Sequence, residues 1–364
     1  MTRATDPVIV DGHLDVAWNA LHNARDLTRS VADLRADGTG ISGVAMTSLH
    51  GFGRGGVALV VASLYASPAA RWAAPADLSV PGYTTAAEAE EQVLEQLALY
   101  ERWAEAGAIR LITGAASLEA HLAQFSADRV PGFLLALEGA DPIASADDLP
   151  RWLERGVRMI GLAWGTTRHA GGTGSHEGLT AAGRDLLAAM AELGVIHDAS
   201  HLSEESFWEA VELPQHALCV SHANPRACMV PAAGDRSPVP LNRFLSDAQL
   251  AEVARPHGPA GATGVVGVTL LDLFLDPAWG IPDRVVSVTL RDQVAVHLHH
   301  IAGVAGWTCV GIGSDVDAGF GREETPEELD SIADWSAIGV VVPELARRDV
   351  LGENWLRFFR ATLG

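Results

Sequence analysis

Eight short runs of Val, Ile, Leu and Ala recur along the chain, at residues 8–12, 57–65, 132–137, 157–164, 195–199, 217–221, 264–270 and 309–314. They are nearly continuous in apolar residues. A strand with one wet face alternates polar and apolar side chains; a strand covered on both faces does not, so these runs read as strands of a parallel sheet. Helical spacing separates most of them, notably over 85–106 and 179–193. Ser246-x-x-Gln249 and Thr325-Pro326-x-Glu328 read as capping boxes that start further helices. Eight strands alternating with helices in 364 residues predict one α/β domain over 1–364, a closed (β/α)8 TIM-type barrel with loop insertions. An open, doubly wound sheet is the alternative. The Gly-rich stretch 35–54 reads as a loop insertion after the first strand, and 225–240 and 273–286 as long loops after the sixth and seventh. Loops of that length usually carry function.

Composition narrows the partners. Asp plus Glu number 46 against 25 Lys plus Arg, a formal net charge of -21. Such a surface repels phosphate backbones and anionic lipid, so neither nucleic acid nor a membrane is an expected partner. No apolar run reaches the length of a membrane span. Three cysteines, Cys219, Cys228 and Cys309, form no CxxC pair and are odd in number. They read as free thiols of a reducing compartment, and the absence of a basic-then-apolar leader adds to the expectation of a cytoplasmic protein.

The chemistry lies in how the strands end. The first closes with His13-x-Asp15, the third with Glu138, and the sixth with His222; His201 follows the fifth, and Asp315 the eighth. In a barrel the C-terminal strand ends converge on one mouth, so residues distant in sequence meet there. Each residue alone has an ordinary structural explanation, such as a packed histidine or a carboxylate that caps a helix. Together, three imidazoles and three carboxylates are a nitrogen and oxygen set suited to zinc, with no thiolate needed. Glu138 has the chemistry to bridge two ions, which together would lower the pKa of a bridging water. Asp315 would then orient the hydroxide and pass its proton to a leaving amine.

The chain resembles the membrane (renal) dipeptidase family of the amidohydrolase superfamily. The resemblance rests on Asp11-Gly12-His13-Leu14-Asp15, Gly55-Gly56-Val57, Leu137-Glu138-Gly139, Asp198-Ala199-Ser200-His201-Leu202-Ser203, Ser221-His222-Ala223-Asn224, Gly311-Ile312-Gly313-Ser314-Asp315-Val316-Asp317 and Gly352-Glu353-Asn354-Trp355-Leu356-Arg357. It implies two zinc ions per chain, one held by His13 and Asp15, the other by His201 and His222, with Glu138 between them and Asp315 as acid and base. It also implies hydrolysis of dipeptides, including L-D dipeptides, and a homodimer as one assembly to expect. Arg243, in register with a family Arg that precedes a helix start, would hold the substrate carboxylate bidentately. Arg226 and Arg236 are fallback candidates, and Phe244 stands where the family has Asn. Asp198 is placed to accept a hydrogen bond from a ligand imidazole.

Two departures touch the substrate side. Trp164 stands where mammalian members of the family carry a substrate-binding His, some bacterial relatives being similar to this chain here, and an indole N–H donates one hydrogen bond but takes no positive charge. His169, five residues on, is a candidate to compensate, against the ordinary reading of an exposed loop His. Leu271 replaces a family Tyr. His197, His299 and His300 read as packing residues. The altered wall keeps a second reading open, a binuclear amidohydrolase for an N-acyl amino acid or modified dipeptide. A non-catalytic binding protein on the same barrel is the third, and it would have been favoured by loss of a site residue.

Overall fold

The computed structural model describes residues 8–38, 43–69, 82–233, 235, 237, 239–281 and 284–364. Its eight principal strands fall on the eight apolar runs. They are β1 (Ile9–Leu14), β2 (Val57–Tyr65), β3 (Gly132–Glu138), β4 (Val157–Gly161), β5 (Ile196–Asp198), β6 (Ala217–Cys219), β7 (Val266–Val268) and β8 (Val310–Ile312). Their order is β7-β8-β1-β2-β3-β4-β5-β6, with every neighbouring pair parallel. A parallel bridge between Val220 and Val266 closes the ring, so the barrel, not the open sheet, is the fold.

The strand side chains sort into two apolar layers. Ile9, Val57, Val60, Phe133, Leu135, Ile160, Leu218, Val266 and Val310 face the surrounding helices and pack with them. Val10, Leu59, Val61, Leu134, Ala136, Met159, Ile196, Ala217 and Cys219 fill the barrel itself. The interior layer is completed by the C-terminal helix Asn354–Thr362, which inserts Trp355, Phe358 and Phe359 from below. Trp355 donates its indole N–H to Ile312 O at 3.0 Å. It fits because Gly12 and Gly311 have no side chains; a Cβ on either would collide with the indole.

Helix ends follow local chemistry. Thr85 and Glu88 form a full capping box on Ala86–Glu105, and Thr180 caps Ala181–Leu193, which ends on Gly194 at φ 74°. Ser246 and Gln249 form the expected box at the start of Asp247–Val253. Thr325-x-x-Glu328 does not start a helix. Thr325 Oγ1 donates back to Arg322 O, and Glu328 instead accepts from the backbone N–H of Leu290, serving another helix. The stretch 35–54 is also more than loop, since Leu49–Gly55 is a short helix capped by Ser48. Among the described residues no helix is long and apolar enough to cross a membrane.

Candidate metal centre

On β3, Leu134, Ala136 and Glu138 share one face, as strand periodicity requires. The first two lie in the barrel interior, and Glu138 continues their row to the mouth. On β1 the same rule would turn His13 outward. A bulge intervenes: Asp11 pairs with Val60 and Leu14 with Ala62, so three steps on β1 match two on β2. Bulges re-aim side chains at the rims of barrels, and this one brings His13 and Asp15 into the mouth. His201 and Asp315 follow their strands in the left-handed region, at φ 64° and 63°. Non-glycine residues seldom adopt that conformation, and it clusters where function fixes it.

The six candidates converge. Glu138 Oε1 lies 3.2 Å from His201 Nε2 and 3.5 Å from His222 Nε2, while Glu138 Oε2 lies 3.5 Å from His13 Nε2. His13 Nε2 is 4.0 Å from Asp15 Oδ1 and 3.9 Å from Asp315 Oδ1. The ligand atoms of His13, Glu138 and His222 fall within 4.8 Å of one another, as do those of His13, Asp15 and Asp315. His13 thus touches both groups, and its ring stacks on His222 with centroids 3.7 Å apart.

Hydrogen bonding turns the Nε2 atoms of two of the imidazoles inward. Thr173 Oγ1 lies 3.0 Å from His201 Nδ1, and Ser221 Oγ lies 2.8 Å from His222 Nδ1. With Nδ1 occupied, the Nε2 atoms of His201 and His222 face each other at 2.9 Å. Around them stand carboxylate oxygens; Glu138 Oε2 and His13 Nε2 are buried without a hydrogen-bond partner. Burial, then the neighbouring Glu138, drives Asp15 well above the usual carboxylate range. Burial pushes Glu138 to about 8 against the pull of Arg243, and raises Asp315 strongly. The same burial, with Arg243 and His13 nearby, keeps His201 and His222 neutral. Burial thus makes the anionic form of this carboxylate and imidazole cluster costly without a counter-charge, and a cation would supply that charge.

Asp198 does not reach a ligand imidazole directly. Its Oδ1 accepts from the N–H and hydroxyl of Ser200 and from Ser221 N, and its Oδ2 accepts from Ser221 Oγ at 2.5 Å. Asp11 plays a similar part beneath His13. It accepts from His13 N, from Ser314 N and Oγ, and from Trp335 Nε1 at 2.8 Å, which ties the end of β1 to the end of β8. The hydroxyl of Ser63, at the mouth end of β2, donates to Asp15. Thr173, Ser221, Ser63 and Trp335 carry no site role in the sequence reading. Ser221 is the one with a local signal, its place beside His222 at a strand end.

Arg243 sits in the turn Leu241–Arg243, buried, with its guanidinium 5.1 Å over the Phe274 ring. Nη1 donates to His222 O at 3.0 Å, while Nε and Nη2 have no partner. Burial favours its neutral form, and Asp315 and Glu138 hold it charged. Phe244, in place of Asn, packs edge-on against Phe274. Arg226 pairs with Glu204 at 2.8 Å and donates to Phe244 O, with Nη2 left without a partner; Arg236 lies outside the described residues.

Trp164 stacks on His201 with centroids 5.8 Å apart and lies 5.6 Å from the Tyr65 ring, so it forms an aromatic wall of the cluster. His169 does not compensate for the replaced His and is not exposed either; it is buried, with Nε2 3.1 Å from Ile143 O. His197 packs against Gln215, His299 reaches Val341 O, and His300 pairs with Asp247, as structural residues do. The three cysteines are free.

The chain is similar to known proteins along most of its length. A family model described as membrane dipeptidase, peptidase family M19, matches residues 4–363. A metallopeptidase from Rhodobacter sphaeroides, solved with a phosphinate mimic of the dipeptide L-Ala-D-Ala, superposes with a TM-score of 0.77 at 26% identity, covering 98% of this chain and 100% of that one. A dipeptidase described as a metallopeptidase of family M19 superposes with a TM-score of 0.76, also at 26% identity, over 98% of each chain. An uncharacterized Klebsiella pneumoniae protein in the pqqA 5′ region is 29% identical over 283 residues, 74% of this chain and 93% of that one.

Proposed function

The chain belongs to the membrane dipeptidase family, peptidase family M19, and from that premise we propose that it is a zinc dipeptidase holding two ions per chain and cleaving L-L and L-D dipeptides. The observation that carries the reading is Glu138, whose two oxygens face His201 and His222 on one side and His13 on the other. His13 and Asp15 would hold one ion, His201 and His222 the other, with Glu138 shared. Two ions bound there would lower the pKa of the attacking water and polarise the scissile carbonyl.

The remaining steps belong to the chain's own residues. Arg243 aims two free N–H groups at the substrate carboxylate and fixes its orientation. Trp164 and Tyr65 wall the cavity beside His201 and keep it dry. Asp315, 3.9 Å from His13 Nε2, takes the proton of the attacking water on its carboxylate and delivers it to the leaving amine. Buried free thiols in Cys219 and Cys309 favour a reducing, cytoplasmic setting, and a homodimer is the assembly proposed.

The test is a panel of L-L and L-D dipeptides assayed with zinc, manganese and cobalt, alongside metal analysis of the purified protein. Turnover of at least one dipeptide with two equivalents of metal bound is expected; turnover of none refutes the proposal. A second reading follows from Trp164, which puts an indole beside His201, and from Leu271, which stands in sequence where the family often has Tyr: an N-acyl amino acid as substrate. Cleavage of N-acyl amino acids in preference to every dipeptide would favour it.

A further inference from the structure

We infer that Ser221 is a positioning residue shared by both halves of the metal centre, one hydroxyl that sets the tautomer of His222 and of His13 at once. The inference rests on the proposed binuclear site and goes beyond its ligands.

A serine hydroxyl has one proton to give and two lone pairs to accept with. Ser221 Oγ has four polar neighbours: Asp198 Oδ2 at 2.5 Å, His222 Nδ1 at 2.8 Å, Ser200 Oγ at 3.1 Å and His13 Nδ1 at 3.5 Å. Asp198 accepts from every other group it touches, so the Ser221 proton goes to Asp198 Oδ2. The Ser200 proton is likewise committed to Asp198 Oδ1 at 2.7 Å, which leaves the Ser200 hydroxyl no proton for Ser221. The two Ser221 lone pairs are therefore left for the Nδ1–H groups of His222 and His13. Each imidazole is then obliged to present an unprotonated Nε2 to the site.

The hydroxyl is held rigidly. Ser221 N donates to Asp198 Oδ1 at 2.9 Å, and a Cβ on Gly267 or Gly313 would collide with the Ser221 carbonyl oxygen, so β6, β7 and β8 close tightly around it. Because His13 and His222 belong to opposite ion sites in the proposed pairing, one group tunes both. Loss of the Ser221 hydroxyl should weaken the two sites together.

The experiment uses the full chain with Ser221→Ala, Asp198→Asn and the double variant. Metal affinity is read by competition with a chromophoric chelator, and histidine tautomers by nitrogen-15 NMR with and without zinc. Asp198→Asn keeps the volume but turns a donor toward Ser221, so the hydroxyl can no longer accept from both imidazoles. Expected are Nδ1–H tautomers for His13 and His222 in the parent, both lost in Ser221→Ala and one of the two lost in Asp198→Asn. In Ser221→Ala both zinc equivalents should weaken by roughly 10–100-fold, and the double variant should be no worse than Ser221→Ala. Weakening of one equivalent alone in Ser221→Ala, additive losses, or unchanged tautomers would overturn the inference. A parent chain that binds no metal would instead sink the binuclear reading, while its tautomers still report on Ser221. Thermal unfolding of the metal-free variants checks that the barrel is intact.

Discussion

Replacing Arg243 by Lys keeps a positive charge and removes the fork. In the structure Nη1 is engaged with His222 O, and the adjacent Nε and Nη2 are the donors left for a carboxylate. A lysine ammonium meets a carboxylate as a point charge and forfeits one of those two parallel bonds. A hydrogen bond to a charged group contributes about 1.5–3 kcal/mol, so Arg243→Lys should lower kcat/KM for a dipeptide by roughly 10–150-fold. The control is the same dipeptide with its C-terminus as the carboxamide, which has no carboxylate to lose. On that substrate the variant should stay within about threefold of the parent, both being slow. Release of the free amino acid, followed by chromatography, measures both, and circular dichroism confirms the fold. An equal fall on acid and amide would refute the argument, since it would make Arg243 a support for His222 rather than a substrate clamp.

Asp315→Asn should cost roughly 10²–10⁴ in kcat while leaving metal content unchanged, because the amide cannot relay a proton; Asn also accepts the left-handed backbone found there. Retained turnover would exclude the acid and base role. His297, buried with Nε2 3.0 Å from Leu275 O, is pushed by burial to about 4, below the 6.5 of a free imidazole. The unfolded chain therefore takes up this proton first: the stabilisation is full above about pH 6.5 and falls as the pH drops toward 4, by about 3 kcal/mol at most. Urea unfolding of His297→Gln should show a flatter acid limb than the parent, and parallel limbs would refute the assignment. Trp355→Ala should destabilise the fold by about 3–5 kcal/mol through the cavity it leaves at the barrel floor; a loss under 1 kcal/mol would show that the helix does not plug the interior.

The barrel was legible because its strands are buried on both faces, which writes them as apolar runs that end in polar residues. Those ends also showed Glu138, His201, His222 and Asp315, since a polar residue closing an apolar strand stands out. What was not legible depends on partners brought together by the ring. The β1 bulge that turns His13 inward is a mismatch with β2, and no local pattern encodes it. Ser221 and Thr173 acquire their roles from imidazoles on other elements. Thr325-x-x-Glu328 misled for the same reason: Glu328 satisfies the N–H of Leu290, an option a sequence window does not contain. The direct hydrogen bond expected from a ligand imidazole to Asp198 is absent; Asp198 instead accepts from Ser200 and Ser221, a link that no local pattern encodes.

The plug formed by Trp355 has a bearing on how the protein comes to be. It lies beneath Gly12, one residue before His13, and Asp11 is tied to Trp335 across 324 positions of chain. Contacts so distant in sequence form late and slowly. During synthesis the end of β1 emerges 324 positions ahead of Trp335, and further still ahead of Trp355. Binding competence is thus coupled to completion: a nascent or truncated barrel would carry the ligand residues without the site, and metal would enter a chain that has already folded.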